Sequence, residues 1–390
     1  MKKTVVILLA VVMALGVLSG CQSASTSVAP SGSEIGSAAP GADTEGKKIG
    51  VIFYGKEDAL GAAVYATINH AAEALGVEII WDLGDVDPNA QIAAAENLIS
   101  AGVDGIMAIP LTETVTQKIM QRCEENQIYY VNCFRDILDE NIREYVTSCE
   151  YFVGGCFEDD SVASERMVEI MAEKAACVYL GPGSALRVRN EGFDRGMENT
   201  GIEKVAEYTV PENPDLNAQL TAIENFINVY VPSDGLDVIF AASGAMGSGE
   251  AMVQKMSTMT SGGSVQMACF DVFENMKEAF ENEILGVAVG GQSPDALMAF
   301  MMLYNKVVGT PLSDEVEWLN QNYIFVTSAE ECDGYEKYID NPDYMIYTAD
   351  DIRAMSKAHN PDFTIEELRQ IMEEYTLENV VAKAEATSNN

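Results

Sequence analysis

Residues 49–81 read IGVIFYGKEDALGAAVYATINHAAEALGVEIIW and set the pattern for most of the chain. An apolar run at residues 49–54 is followed by a stretch with helical spacing at residues 62–74, and a second apolar run follows at residues 77–81. A buried strand, a helix and another buried strand in this order are typical of a parallel sheet covered by helices. The stretch therefore predicts an α/β fold.

The same alternation continues along the chain in two sets. In the first set we predict helices and strands in alternation at residues 89–101, 105–109, 113–125 and 128–133. In the second set we predict strands, each followed by a helix, at residues 177–180, 205–210, 236–241 and 265–270. Roughly 340 residues take part, which is more than one hydrophobic core usually holds. We therefore predict two lobes, each a doubly wound, mainly parallel sheet flanked by helices.

The first residues of the chain predict export. Lys2 and Lys3 precede a short apolar run that ends in Leu18-Ser19-Gly20-Cys21, as in a secretory signal. This ending resembles the lipobox of bacterial lipoproteins, and the resemblance implies that the thiol of Cys21 carries a diacylglycerol anchor. The alternative is an ordinary signal peptide with an incidental cysteine. Residues 22–46, mostly Ser, Ala, Gly, Thr and Pro, read as a flexible tether.

The composition limits the partners and the chemistry. The formal charge of −38 becomes −40 once residues 1–20 and their two lysines are removed, so no nucleic-acid partner is expected. The cysteines other than Cys21 are odd in number and contain no Cys-x-x-Cys motif, which predicts mostly free, buried thiols. These seven are Cys123, Cys133, Cys149, Cys156, Cys177, Cys269 and Cys332.

Motifs for cofactors and catalysis are incomplete. Residues 50–56 match part of a phosphate-binding loop, but Glu57 stands where Ser or Thr would hold magnesium. A calcium loop at residues 85–96 lacks its glycine. The histidines, His70 and His359, do not lie at predicted strand ends, and no Gly-x-Ser-x-Gly motif occurs. We therefore expect a protein that is not an enzyme and has no cofactor or metal.

Three motifs of the second set of strands and helices carry a resemblance. Residues 187–193 read RVRNEGF after the turn Gly181-Pro182-Gly183-Ser184, residues 269–271 read CFD, and residues 291–295 read GQSPD. Together with the two α/β sets, they resemble the sugar-binding substrate proteins of bacterial ABC importers, the ribose- and galactose-binding type with the periplasmic binding protein type 1 fold. The resemblance covers about residues 48–330.

The resemblance implies lobes that exchange segments through hinge crossings. The resulting bounds are 1–20 for the lipoprotein signal peptide, 21–46 for the tether, 48–150 with 293–320 for the N-terminal lobe, 151–292 with 321–332 for the C-terminal lobe, and 333–390 for a helical C-terminal extension. Within the extension, residues 350–355 and 364–384 have the pattern of amphipathic helices. Two roles are open for these helices from the sequence alone: to brace the hinge or to contact a partner.

The resemblance also implies a ligand site at the carboxyl ends of the strands, where open α/β sheets bind their ligands. The implied hydrogen-bonding residues are Arg135, Arg189, Asp271 and Gln292, with Ser243 where the family has asparagine. The aromatic rings expected to cover a sugar are Tyr54, Phe134 and Phe273. Since Phe134 replaces an aspartate of the family and residues 57–60 replace an aromatic pair, the pocket is not expected to be one for ribose or galactose.

Each site residue has a structural alternative. Asp271 could cap a helix together with Glu274. Arg189 could pair with Glu191 or Asp194, and Arg135 with Asp136. Gln292 could merely end a strand, and the three aromatic residues could pack in the core or between the lobes.

These observations favour a non-catalytic, lipid-anchored solute-binding protein of an ABC importer. We expect it at the extracytoplasmic face of a bacterial cell membrane, as a monomer, where its lobes close around a small sugar or sugar-like ligand and deliver it to a membrane permease. Two other functions stay open from the sequence alone. One is a ligand-sensing module for a membrane receptor kinase, and the other is a lipoprotein hydrolase.

Overall fold

The computed structural model of the protein describes residues 42–388, except residues 58, 85–86, 174–175, 181–186, 210–215 and 246. The predicted signal peptide, Cys21 and most of the predicted tether lie outside the described residues, and so does the turn at residues 181–184. In the described part of the chain, none of the helices combines the length and the apolar character that crossing a membrane requires.

The first sheet contains six parallel strands in the order β11-β5-β4-β3-β1-β2, and it forms the core of the N-terminal lobe. Its strands are β1 (Lys48–Phe53), β2 (Glu78–Leu83), β3 (Gly105–Ala108), β4 (Tyr129–Cys133), β5 (Phe152–Glu158) and β11 (Glu317–Gln321). The helices of this lobe are α1 (Ala59–Leu75), α2 (Pro88–Ser100), α3 (Glu113–Asn126), α4 (Glu140–Ser148) and α10 (Ser293–Val307).

The second sheet has the same arrangement in the C-terminal lobe, with the order β12-β10-β9-β8-β6-β7, except that β12 runs antiparallel to β10. Its strands are β6 (Ala176–Leu180), β7 (Lys204–Thr209), β8 (Val238–Ala241), β9 (Gln266–Phe270), β10 (Leu285–Gly290) and β12 (Ile324–Val326). Its helices are α5 (Asp160–Ile170), α6 (Arg187–Thr200), α7 (Leu216–Tyr230), α8 (Ser248–Thr258) and α9 (Met276–Glu281). The predicted pair of α/β lobes is thus confirmed.

The structure moves one predicted lobe boundary. β5 pairs with β4 and β11 in the first sheet, so the chain enters the C-terminal lobe after Glu158 and not at residue 151. The apolar pattern of the sequence does not predict this strand, because the strand contains two glycines. Gly154 has a φ of 147°, and a Cβ there would lie 1.9 Å from the carbonyl oxygen of Glu317 in β11. Only glycine lets the two strands pair at this position.

Helix α10 returns the chain to the N-terminal lobe and is buried almost all round. It packs against β3, β4, β5 and α1, and its apolar side chains join the core of that lobe. A helix that is apolar on all faces is expected in such a position. Free thiols also contribute to the cores, as predicted: the described free cysteines are Cys123, Cys133, Cys149, Cys156, Cys269 and Cys332, and all are buried.

The C-terminal extension contacts both lobes. It contains α11 (Ala329–Tyr338), which packs against α9 and β12 of the C-terminal lobe, and α12 (Ala349–Ala354), which packs against α1 of the N-terminal lobe. It continues with α13 (Ile365–Glu373) against β11 and α14 (Leu377–Ser388) against α11. The described chain therefore passes between the lobes twice more after its hinge crossings.

The predicted single helix at residues 364–384 is wrong, because two helices occupy this stretch. Thr364 begins α13 with a capping box in which Glu367 takes part. A second cap divides the predicted helix. The hydroxyl of Thr376 accepts a hydrogen bond from the N–H of Asn379 in the first turn of α14. The chain bends at residues 374–376 and thereby reaches the other lobe.

Candidate functional site

A cavity of about 140 Å³ lies where the carboxyl ends of the two sheets meet. It is lined by three of the predicted site residues, Tyr54, Asp271 and Gln292. The start of α1, the crossing between β10 and α10, and the end of α11 complete its described wall. The position agrees with the rule that open α/β sheets bind ligands beyond the ends of their strands.

Both lobes present a strained residue at equivalent points of this edge. Phe134 directly follows β4 with a φ of 61°, and Asp271 directly follows β9 with a φ of 68°. β4 and β9 hold the same place in the two strand orders. Residues other than glycine rarely adopt this left-handed region, and such strain often marks functional positions.

Asp271 is held by the neighbouring strand end. Its Oδ2 accepts a hydrogen bond of 2.7 Å from the hydroxyl of Ser243, which follows β8. The alternative that Asp271 caps a helix with Glu274 is wrong, because α9 begins only at Met276 and its N-cap is Asn275. Asp271 therefore lines the cavity, and its carboxylate is held by Ser243.

Arg189 lies on α6 and is 5% exposed. Its Nε donates to Asp160 at 2.9 Å, one Nη donates to the carbonyl oxygen of Ala242 at 2.8 Å, and the other donates to the Tyr323 hydroxyl at 3.3 Å. The guanidinium also lies 4.0 Å from the ring centroid of Phe270. The side chain is thus fixed inside the C-terminal lobe, and Arg189 is not among the residues that line the cavity.

The charge of Arg189 is set by its surroundings. Burial lowers its pKa, but the charges of Asp160 and Asp271 and the phenol of Tyr323 outweigh burial, so its pKa is raised overall. The suggested partners on the helix surface are not used, because Glu191 pairs with Arg187 and Asp194 pairs with Lys204. Arg189 is a buried ion-pair member that faces Asp271.

Arg135 follows β4 in the N-terminal lobe and is exposed. Its Nη1 donates to the carbonyl oxygen of Phe134 at 3.1 Å, and no carboxylate among the described residues forms an ion pair with it. The suggested pair with Asp136 is wrong, since Asp136 is bonded to Arg143 at 2.6 Å. Arg135 is therefore an exposed residue that does not line the cavity.

The predicted aromatic residues take different positions. Tyr54 lines the cavity and stacks on Phe53, with 4.6 Å between the ring centroids. Phe134 is 5% exposed and makes an edge contact with Phe53, so its ring belongs to the core. Phe273 is half-buried and packs on the first turn of α8 at Gly249. Of the three rings, Tyr54 is the one that the structure brings to the cavity.

The sequence did not reveal a pair of buried acids at the hinge. Asp295 in α10 is fully buried, and its Oδ2 accepts the N–H of Phe134 at 2.6 Å. Its Oδ1 and the Oε1 of Glu158 have no hydrogen-bond partner among the described residues. Burial raises the pKa of Asp295 to about 8, despite hydrogen bonds from Cys156 and Phe134 and the nearby charge of Arg135, all of which lower it. A signal was present, because Asp295 lies in the first turn of α10 directly before an unbroken apolar run at residues 296–303.

Glu158 ends β5 and lies in register with Gln321 of β11, whose amide atoms are also buried and unpartnered within the described structure. Burial raises the pKa of Glu158 well above its usual range, and the charges of Asp295 and Asp160 raise it further. The described residues include no cluster of three His, Cys, Asp or Glu side chains arranged for a metal ion. Burial thus disfavours the charged form of both acids, at the points where the chain crosses between lobes.

Comparisons with known proteins agree with this architecture. A family model described as "Periplasmic binding protein domain" matches residues 49–311, which is more than half of the chain. No curated protein sequence matches the chain.

Solved structures share the fold at low sequence identity. A solute-binding protein of an ABC transporter from Bacillus halodurans, with bound myo-inositol, has 21% identity and a TM-score of 0.60, and the match covers 76% of this chain and 99% of that one. A periplasmic ribose ABC transporter protein from Conexibacter woesei has 15% identity and a TM-score of 0.62, covering 77% and 100%. A solute-binding protein from Burkholderia graminis in complex with D-arabinose has 18% identity and a TM-score of 0.59, covering 73% and 96%.

Proposed function

The chain belongs to the periplasmic binding protein family, and from that premise we propose that it is the lipid-anchored solute-binding component of an ABC importer. Its ligand is a sugar or sugar-like compound, captured between the two lobes. The observation that carries the proposal is the cavity between the lobes, where Asp271 and Gln292 accompany the ring of Tyr54. Polar groups that bond hydroxyls and a ring that covers C–H faces suit a polyol.

The mechanism follows from the two lobes and their crossings. A ligand that contacts both walls of the cavity binds the closed arrangement more tightly than the open one, and it shifts the population toward closure. The closed protein then docks on a membrane permease. Diacylglycerol on Cys21 and the tether at residues 21–46 keep the protein close to that permease at the extracytoplasmic face of the membrane.

Thermal unfolding in the presence of sugars and polyols tests the proposal. A compound at a hundred times its Kd stabilises the folded state by about 2.7 kcal/mol, which is readily measured as a rise in Tm. We expect at least one neutral sugar-like compound to raise the Tm of the wild type. Failure of every compound would refute the proposed ligand class.

The choice of variant follows from the contacts of each site residue. Asp271→Asn removes the cavity carboxylate while keeping an oxygen that can accept from Ser243, so we expect normal folding and a lost Tm rise. Arg189 is unsuitable, because its removal leaves the partly buried Asp160 without its ion-pair partner. Asp314→Asn is the matched control, because this exposed acid precedes β11 at the opposite edge of the sheet.

A further inference from the structure

The C-terminal extension forms a cavity of its own, which we call the extension cavity. Its volume is about 840 Å³, and all of its described lining residues lie between residues 346 and 383. The walls come from the segment before α12, from α12, α13 and α14, and from the connections between these helices. The family model ends at residue 311, so the extension cavity belongs to a part of the chain that the model does not cover.

The extension cavity is separate from the cavity between the lobes, because the two have no described lining residue in common. The extension contributes Tyr335 and Asp340 to the cavity between the lobes. Tyr375 lines the extension cavity instead, and its hydroxyl donates at 2.8 Å to the carbonyl oxygen of Gly291, which lines the cavity between the lobes. A molecule in the extension cavity would therefore not occupy the place of a ligand between the lobes.

The extension cavity combines apolar, aromatic side chains with a polar rim. Met355, Phe363 and Tyr375 are 1%, 5% and 2% exposed, and all three line the cavity. The half-buried Tyr347 is a third aromatic lining residue. Concave sites of about 300–1,000 Å³ that are mainly apolar and carry a few polar groups are typical of small-molecule binding. The aromatic rings favour a ligand that contains a ring itself.

Hydrogen bonds fix the walls of the extension cavity relative to one another. Lys383 of α14 donates to Asp351 of α12 at 2.8 Å and thereby joins these two helices. Asn379 of α14 donates at 2.7 Å to the carbonyl oxygen of Glu374, directly after α13. The walls are thus held in place by the protein itself, and a ligand does not have to order them.

The rim of the extension cavity has a negative formal charge. Three carboxylates, those of Asp351, Glu367 and Glu374, stand against the single ammonium group of Lys383, which gives a formal charge of −2. Asp351 is paired with Lys383. Glu374 accepts a hydrogen bond from Gln370 at 2.7 Å, and no cationic side chain of the described residues forms an ion pair with it. The rim therefore favours a cation, and the aromatic faces attract one as well.

We propose that the extension cavity is a second ligand site and that it binds a small aromatic amine. The apolar side chains contact the ring of the ligand, and the carboxylate of Glu374 attracts its ammonium group. An anion of the same shape would meet repulsion at the rim. This proposal does not depend on the proposed function, because a ligand between the lobes contacts other residues.

Titration calorimetry with three indole probes tests the proposal. Tryptamine carries an ammonium group, tryptophol a neutral hydroxyl and indole-3-propionate a carboxylate, whereas the ring is the same. We expect tryptamine to bind about fivefold more tightly than tryptophol, as one exposed charge pair allows, and indole-3-propionate not to bind. The preference for tryptamine over tryptophol should disappear at an ionic strength of about 1 M, because salt screens exposed charges.

Two pairs of variants locate the binding. Ala354→Phe fills the extension cavity from an exposed position at the end of α12, whereas Ala382→Phe makes the same change at an exposed position of α14 outside the lining. Glu374→Gln removes a rim charge but can still accept the hydrogen bond from Gln370. Its matched control is Glu378→Gln, at an exposed position of α14 outside the lining.

We expect Ala354→Phe to weaken tryptamine binding at least tenfold. Glu374→Gln should weaken tryptamine binding about fivefold and leave tryptophol binding unchanged, and both control variants should bind like the wild type. If Ala354→Phe lowers the Tm of the free protein, the pair Glu374→Gln and Glu378→Gln decides the location.

Equal tryptamine binding by the two phenylalanine variants, or by the two glutamine variants, would overturn the proposed location. Binding of indole-3-propionate as tightly as tryptamine would overturn the proposed charge of the ligand, and binding of none of the three probes would overturn the second site altogether. The unfolding assay with sugars and polyols tests the ligand between the lobes separately, so failure of one proposal is distinguishable from failure of the other.

Discussion

The buried carboxyl of Asp295 makes the stability of the protein depend on pH. Its pKa is raised to about 8 in the folded protein, mainly by burial, whereas an aspartate in an unfolded chain has a pKa of about 3.9. Between these two values the folded protein holds a proton that the unfolded chain has lost. The contribution of this group is therefore complete below about pH 4 and is lost as the pH rises through about 8.

The size of this pH effect follows from the single proton that Asp295 holds in the folded protein and loses on unfolding. The free energy of unfolding changes by at most about 1.4 kcal/mol per pH unit, so a rise from about pH 5 to about pH 7 should remove about 2.5 kcal/mol. Asp295→Asn cannot titrate, yet its side-chain oxygen can still accept the N–H of Phe134. We expect this variant to lose that part of the pH dependence, as measured by urea unfolding at several pH values.

The comparison isolates Asp295 from the general repulsion of a chain with a formal charge of −38, because the wild type and the variant share every other charged group. Asp343→Asn serves as the control, and its pH dependence should match that of the wild type. Parallel curves for the wild type and Asp295→Asn would refute the reasoning. They would mean that Asp295 is ionised in the folded protein, with Arg135 as its compensating charge.

Two further substitutions test the architecture. Gly154→Ala should separate β5 from β11, because its Cβ would meet the carbonyl oxygen of Glu317; we expect a loss of about 3 kcal/mol in urea unfolding. Gly263→Ala, which meets no atom within 4 Å, should cost far less, and equal losses would contradict the steric argument. Tyr375→Phe should lower the free energy of unfolding by about 1 kcal/mol through loss of its bond to Gly291, and an unchanged value would show that this bond is not stabilising.

The sequence predicts the α/β pattern well wherever a strand is a continuous apolar run. β1 and β9 lie within one residue of their predicted positions, because both are buried between helices on two faces. The sequence did not predict β5, because two glycines interrupt its apolar run. The segment is a strand because it pairs with the backbone of Glu317, which lies over 150 residues away in the sequence. Such a pairing has no local signal.

The site was predictable in part for the same reason. Asp271 and Gln292 follow strands, so strand ends alone bring them to the cavity. Phe134 also follows a strand, but its left-handed backbone accompanies a ring that packs into the core. Asp340 and Glu158 depend on where the chain crosses between lobes, which no local pattern reveals.

The connection at residues 374–376, which leads from the N-terminal lobe to the C-terminal lobe, also determines how the lobes can move. It lies beside the earlier crossings, since Asn322 donates to the carbonyl oxygen of Glu373 at 3.0 Å and Tyr375 donates to Gly291. Connections that lie side by side allow one lobe to bend toward the other, but they resist a twist of one lobe relative to the other. The lobes should therefore meet along one path, with the two halves of the pocket in constant alignment.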